Sequence, residues 1–181
     1  ILFPSTQPID PHGAARETIP FRNGELEIWT ARSPLAKQHD RVDAYILRFY
    51  GNADRAERWV ALEAEAFGER AIDIWGVNYP GFGGSTGPAR LKRMGESGVA
   101  AFDALKAKAN GKPIYVFGAS IGSTVALHIA ANRAVRGLER HRERIAGEVV
   151  GDETAGDVVA AGQREQHQPL HVNGSSRTVA R

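Results

Sequence analysis

The chain contains no cysteine, which excludes disulfides and thiolate metal sites and leaves the redox compartment open. It has little excess charge: 23 Lys and Arg face 21 Asp and Glu, for a formal net charge of +2. That balance does not supply the basic field a nucleic-acid binder uses, so the expected partner is a small molecule. Long apolar runs are missing too. None approaches the roughly 20 residues that span a bilayer, so the expectation is a soluble chain without a membrane span. The compartment is not written in the residues. Residue 1 is Ile, which leaves room for a leader, an anchor or a propeptide upstream.

What is present is an alternation. Within 181 residues, 42% of them hydrophobic, there is enough apolar material for one well-filled domain. The first forty residues carry Pro4, Pro8, Pro11, Pro20 and Pro34 and one alternating stretch, Glu25 to Trp29, which reads as an edge strand or hairpin. Arg41 to Tyr50 is rich in β-branched and aromatic residues and stops at Gly51 and Asn52, as a buried strand ending in a turn should. Arg55 to Phe67 has apolar residues at helical spacing, and Gly68 closes it. Ala71 to Tyr79 predicts a second strand, Gly98 to Ala109 a second helix, Ile114 to Phe117 a third strand and Ile121 to Asn132 a third helix. Strands and helices in alternation predict an α/β fold, a doubly wound and mostly parallel sheet with right-handed crossovers and helices on both faces.

After about Leu138 the pattern stops. From Glu139 to Arg181 there is no Phe, Tyr, Trp, Met or Lys, and Gly, Ala, Val, Glu and Arg recur without a sustained period. The expected organisation is therefore residues 1 to 138 as a folded unit, incomplete at its C-terminal side, and residues 139 to 181 as an atypical charged tail. Two accounts of that tail fit its composition: a frame change in a GC-rich gene, or a charged helix from Leu138 to Val150 followed by a disordered segment.

Three motifs carry chemistry. Gly118-Ala-Ser-Ile-Gly122 joins the predicted strand Ile114 to Phe117 to the predicted helix Ile121 to Asn132. A turn this sharp needs small residues two before and two after its centre, and Gly118 and Gly122 supply them; the alternative is an ordinary Gly-Ser turn. Read as a nucleophile elbow, it lifts the Ser120 hydroxyl above the C-terminal edge of the sheet. The Ile121 N–H, in the first helical turn, then faces a developing oxyanion. Phe49 to Ala53 ends the first clear strand, where a second oxyanion donor belongs; the Asn52 N–H is the choice, ahead of Ala53. Asn78 to Gly87 holds Gly81, Gly83 and Gly87 in a loosened dinucleotide-like spacing. Pro88 and a polar linker follow it where a dinucleotide fingerprint would open a helix, and Gly118 to Thr124 lacks the lysine of a phosphate loop. No cofactor is expected.

Together, Tyr-Gly-Asn-Ala at 50 to 53, Asn-Tyr-Pro-Gly-Phe-Gly-Gly-Ser-Thr-Gly at 78 to 87 and Phe-Gly-Ala-Ser-Ile-Gly-Ser at 117 to 123 resemble the α/β-hydrolase superfamily. The likeness is to its serine hydrolases with an HGN-type oxyanion loop and a D-Y-x-G-x-G-x-S-x-G segment, and it covers residues 1 to 138. It implies Ser120 as nucleophile, Ile121 and Asn52 as oxyanion donors, a structural and pocket-forming role for the Gly81 to Gly87 loop, and a small acyl substrate: an ester, thioester or amide. Tyr50 stands where that family usually has His, and Asn78 where it often has Asp.

Such enzymes place an acid and a histidine after the nucleophile, on loops that follow later strands. Asp152, Asp157, His167 and His171 satisfy the order, but no hydrophobic strand precedes either acid. The expectation is an incomplete triad, with a noncatalytic binding module or a nonfunctional truncated product as the alternative. His167 and His171 are four apart with Pro169 between them, which disfavours a metal pair on one helix face. His128 falls within a predicted helix, and His12 and His39 fall in loops with no evident role.

Overall fold

The computed structural model describes residues 1–141. Six strands form one sheet in the order β1-β2-β4-β3-β5-β6. A hairpin opens it: β1 (Ala15–Phe21) and β2 (Gly24–Arg32) pair antiparallel, and β2 continues antiparallel onto β4 (Ile72–Val77). From there the pairing is parallel, β4 with β3 (Ala44–Phe49), β3 with β5 (Ile114–Ala119), and β5 with β6 (Gly137–His141). The sheet is thus mixed, with the antiparallel part confined to the N-terminal hairpin and its junction with β4.

Burial follows position in the sheet. Strand β4 is central and buried along its whole length, consistent with its run Ile-Asp-Ile-Trp-Gly-Val. Along β3, Tyr45, Leu47 and Phe49 join one core while Ala44 and Ile46 join the other, the period of two expected of a strand. The first core is covered by α3 (Leu91–Ala109), through Phe102 and Leu105, and by α4 (Ile121–Asn132), through Val125 and Ile129. The second is covered by α2 (Val60–Ala66), through Val60 and Ala64. Helices therefore lie on both faces, as the alternation predicted.

The boundaries differ from the sequence reading where local signals conflict. The helix expected to start at Gly98 starts at Leu91; Gly95 and the exposed Leu91 break the apolar stripe there, but Met94 is buried beneath it. Arg55 to Phe67 divides into a 3₁₀ turn, Ala56–Arg58, and α2. A five-residue helix, α1 (Pro34–Gln38), had not been expected; Ser33 accepts at its N-cap from the Ala36 N–H at 3.4 Å, and Pro34 occupies the first turn. Strand β6 runs three residues past Leu138, to His141. It lies at the outer position of the described sheet, where charged residues such as Glu139 and Arg140 are compatible with a strand.

Candidate active site at the C-terminal edge of the sheet

Strands β3 and β5 are parallel neighbours in register, Phe49 opposite Gly118, so both chains leave the sheet at the same edge and side by side. One exit is the elbow. Ser120 sits between β5 and α4 with φ 52° and ψ −122°, outside the regions a side chain adopts without cost. Its side chain is exposed. The two flanking glycines are required by contact: a Cβ on Gly118 would lie 2.6 Å from the Ser123 nitrogen, and one on Gly122 would collide with the Phe49 carbonyl and lie 2.9 Å from that of Tyr50. The Ser123 Oγ donates to the Gly118 carbonyl at 2.9 Å and closes the elbow from the helix side.

The other exit is the loop after β3. A Cβ on Gly51 would stand 3.6 Å from the Ser120 Cβ, in ordinary contact, so the loop passes directly beside the elbow. Asn52 follows. Among the described residues, neither its backbone N–H nor that of Ile121 donates to a protein acceptor, which leaves both available to a ligand. The Asn52 carboxamide is committed elsewhere: Nδ2 donates to the Ile1 carbonyl at 2.9 Å and Oδ1 accepts from the Phe3 N–H at 2.8 Å.

The residues that replace the usual His and Asp of these motifs have definite partners. The Tyr50 hydroxyl donates to Glu63 Oε2 at 3.0 Å, and the Arg48 guanidinium lies 4.9 Å over its ring while also pairing with Glu63 at 2.9 Å. Burial first, and the Glu63 charge second, hold the Tyr50 hydroxyl well above its ordinary pKa, so it remains a neutral donor. The Tyr79 hydroxyl donates to the Tyr50 carbonyl at 2.9 Å, fixing the end of β3.

Asn78 is the centre of a buried polar cluster. Its Oδ1 accepts from the Ala56 N–H at 2.9 Å, and its Nδ2 donates to Glu27 Oε2 at 2.7 Å and to Glu57 Oε2 at 2.8 Å. Arg16 pairs with Glu27 at 2.6 Å and Arg55 with Glu57 at 3.2 Å, so each buried carboxylate has its own cation. Burial pushes the Glu27 pKa up, but the Gly84 N–H, Arg16 and Asn78 outweigh it and leave the carboxyl below its ordinary value. Sequence inspection missed Glu27, Glu57 and Arg55. Glu27 was marked only by charge in a strand-like stretch, and Arg55 and Glu57 lie in the charged run 54 to 58 where nothing singles them out; partners are up to 51 residues away.

The glycine loop is stitched to its surroundings. Gly83 donates to the Ser5 carbonyl, Gly84 to Glu27, Thr86 to the Glu25 carbonyl, and Ser85 Oγ to the Asn78 carbonyl. The Gly81, Phe82 and Ser85 N–H groups bond to the Ser85, Tyr79 and Phe82 carbonyls, so seven of the loop's polar hydrogens are spent on protein acceptors. Phe82 is buried edge-on against Tyr79 at 5.7 Å. The remaining candidates lie apart from Ser120 or outside the described residues. His128 is exposed on α4 eight residues after Ser120, about 12 Å along the axis, and rests against Gly95 of α3. His12 and His39 are exposed far from the elbow in sequence. Asp152, Asp157, His167 and His171 fall outside residues 1–141, and among the described residues nothing hydrogen-bonds the Ser120 hydroxyl.

A strained serine between a parallel strand and a helix, faced by the loop of the neighbouring strand, agrees with the family comparison: residues 44–147, more than half of the chain, match the family described as alpha/beta hydrolase fold. The chain belongs to the α/β-hydrolase family. Its fold is similar to that of several solved α/β-hydrolases. An α/β serine hydrolase without a lid from Xanthomonas campestris superposes with a TM-score of 0.60 at 19% identity, covering 77% of this chain and 62% of that one. A thermostable carboxyl esterase from Bacillus coagulans gives 0.56 at 16%, covering 70% and 44%. An α/β hydrolase from Vibrio vulnificus gives 0.56 at 23%, covering 70% and 45%. This α/β-hydrolase-family chain therefore spans less than two thirds of the length of each. A search of curated proteins finds no significant match in sequence. Among the described residues no helix is long and apolar enough to cross a membrane.

Proposed function

We propose that the chain is a serine hydrolase that attacks an ester, thioester or amide through Ser120, with the N–H groups of Ile121 and Asn52 holding the oxyanion. The observation that carries this reading is Ser120 itself, held at φ 52° directly after β5 with Gly51 against it. A protein stores such strain where the surrounding structure over-determines it, and here it lifts one hydroxyl into the open edge of the sheet. In the acyl-transfer step the Ser120 Oγ bonds to the substrate carbonyl carbon as its proton passes to a base. The carbonyl oxygen takes the negative charge, and collapse of the adduct expels the alcohol, thiol or amine, which takes up a proton. Water then releases the acid by the same route.

The described residues supply nucleophile and oxyanion donors, and no base meets Ser120 among them. The second reading, a noncatalytic module of the same fold, rests on that observation, because a serine without a base is a poor nucleophile. Turnover by this chain is accordingly expected to be slow. The test is hydrolysis of p-nitrophenyl acetate, together with labelling by a fluorophosphonate, for the chain and its Ser120→Ala variant. Turnover and labelling that both vanish in Ser120→Ala support the catalytic reading. Equal, negligible rates favour the noncatalytic one, and labelling that survives the substitution overturns Ser120 as the nucleophile.

A further inference from the structure

The first residues of the chain form an arm tied across the edge of the sheet that bears Ser120, and each tie comes from a different part of the candidate site. Asn52, in the oxyanion loop, clasps it with both ends of its carboxamide, donating to the Ile1 carbonyl and accepting from the Phe3 N–H. The Gly83 N–H and the Arg55 guanidinium both reach the Ser5 carbonyl, at 2.9 Å each, and Arg55 also donates to the Gln7 carbonyl. Arg55 is almost fully buried and held by Glu57, so this grip is built into the body of the protein. The Leu2 side chain turns inward and packs against the main core. Ile1 and Phe3 remain exposed.

The arm does not run over a bare surface. Ile1, Leu2 and Pro4 line an open groove of about 780 Å³ together with Ala89, Arg90, Leu91 and Ile121, Arg90 being its one charged residue. Ile121 is the residue after Ser120, so the groove begins at the elbow. Its lining is mainly aliphatic. A substrate held by its carbonyl between the Asn52 and Ile121 N–H groups would send one substituent along this groove, and an aliphatic chain is the substituent whose burial there is favourable.

We propose that the arm is a specificity element: residues 1 to 4 are a wall of the acyl-chain subsite, and the Asn52 carboxamide positions that wall relative to the oxyanion loop. The inference rests on Ser120 as the reacting centre. Asn52 then has two separable jobs, the backbone N–H at the substrate carbonyl and the side chain on the arm. Substituting the side chain spares the first and removes the second.

The test is fluorescence titration of the full chain with dansyl-undecanoic acid, which reads occupancy without chemistry at Ser120. Wild type is expected to bind saturably. Asn52→Ala should weaken binding at least tenfold, and Asn52→Asp, which keeps the acceptor for Phe3 and loses the donor to Ile1, should fall between. Ile1→Asp, at a fully exposed position where the fold is not at stake, should also weaken the undecanoyl probe at least tenfold and leave a dansyl-acetate control unchanged. No saturable binding by wild type, or equal binding by Asn52→Ala and Ile1→Asp, overturns the proposal. Fluorophosphonate labelling of Ser120→Ala, measured alongside, separates a failure of the nucleophile from a failure of the arm, since the titration does not depend on it.

Discussion

Asp73 invites a stability measurement because it is a carboxylate in the central strand with too few partners. It lies opposite Tyr45 of β3 and Arg32 of β2, with its side chain only 7% exposed. Arg32 approaches Oδ2 no closer than 4.0 Å, and Oδ1 has no hydrogen-bond partner. Burial pushes the carboxyl up from 3.8 to about 6, against the opposing pull of Lys108 and Arg32. The folded state therefore binds a proton more tightly than the unfolded chain, and between about pH 4 and 6 it holds more protons. This contribution to stability is fully present below pH 3.8 and is lost as pH rises through about 6, leaving the ionised fold penalised by about 3 kcal/mol. Asp73→Asn keeps the shape and removes the charge. It is expected to stabilise the protein at pH 8 by about 1 to 3 kcal/mol, or very roughly 3 to 10 °C in Tm, with the gain shrinking towards zero at pH 4. Urea unfolding of both proteins at four or five pH values gives the comparison. A pH-independent difference, or a loss of stability at pH 8, would refute the reasoning.

Gly122→Ala should abolish fluorophosphonate labelling and cost at least about 2 kcal/mol, because its methyl group has only the Phe49 and Tyr50 carbonyls to displace; normal labelling at an unchanged melting temperature would show that the elbow is looser than described. Tyr79→Phe leaves the Tyr50 carbonyl without its donor and is expected to cost about 1 to 3 kcal/mol in chemical denaturation, with labelling slowed as the end of β3 is released. Asn78→Asp sets a third carboxylate between Glu27 and Glu57 and should destabilise by about 3 kcal/mol or more at pH 8. The loss should ease as pH falls and one of the three takes up a proton; thermal melts at pH 5 and 8 read that sign directly.

The elbow was legible in the sequence because each of its demands has a residue attached: a β-branched and aromatic run to Phe117, small residues at 118 and 122, and an apolar helical period from Ile121 that ends at Asn132 as expected. The placement of the loop after β3 beside it was legible only through the order of strands, which parallel register then turns into proximity. Short or conflicted elements were not. Strand β1 contains Pro20 and is exposed along much of its length, and α1 is one turn long, so neither offers a period to detect. The grip on the N-terminal arm was hidden for a different reason. It joins Asn52 to residues some fifty positions earlier through backbone atoms of Ile1 and Phe3, and backbone partners leave no mark on residue identity.

The Asn78 cluster carries a consequence for how this sequence can drift. One carboxamide hydrogen-bonds two buried carboxylates at once and takes a third bond from the Ala56 amide, so substitutions at positions 27, 57 and 78 are expected to be energetically coupled. A descendant with Asp at position 78 is expected to need neutralisation of position 27 or 57 to keep the tie between the Ala56 turn and β2. Among homologues these three positions are expected to vary as linked sets, with Asn78 confined to sequences that keep both glutamates.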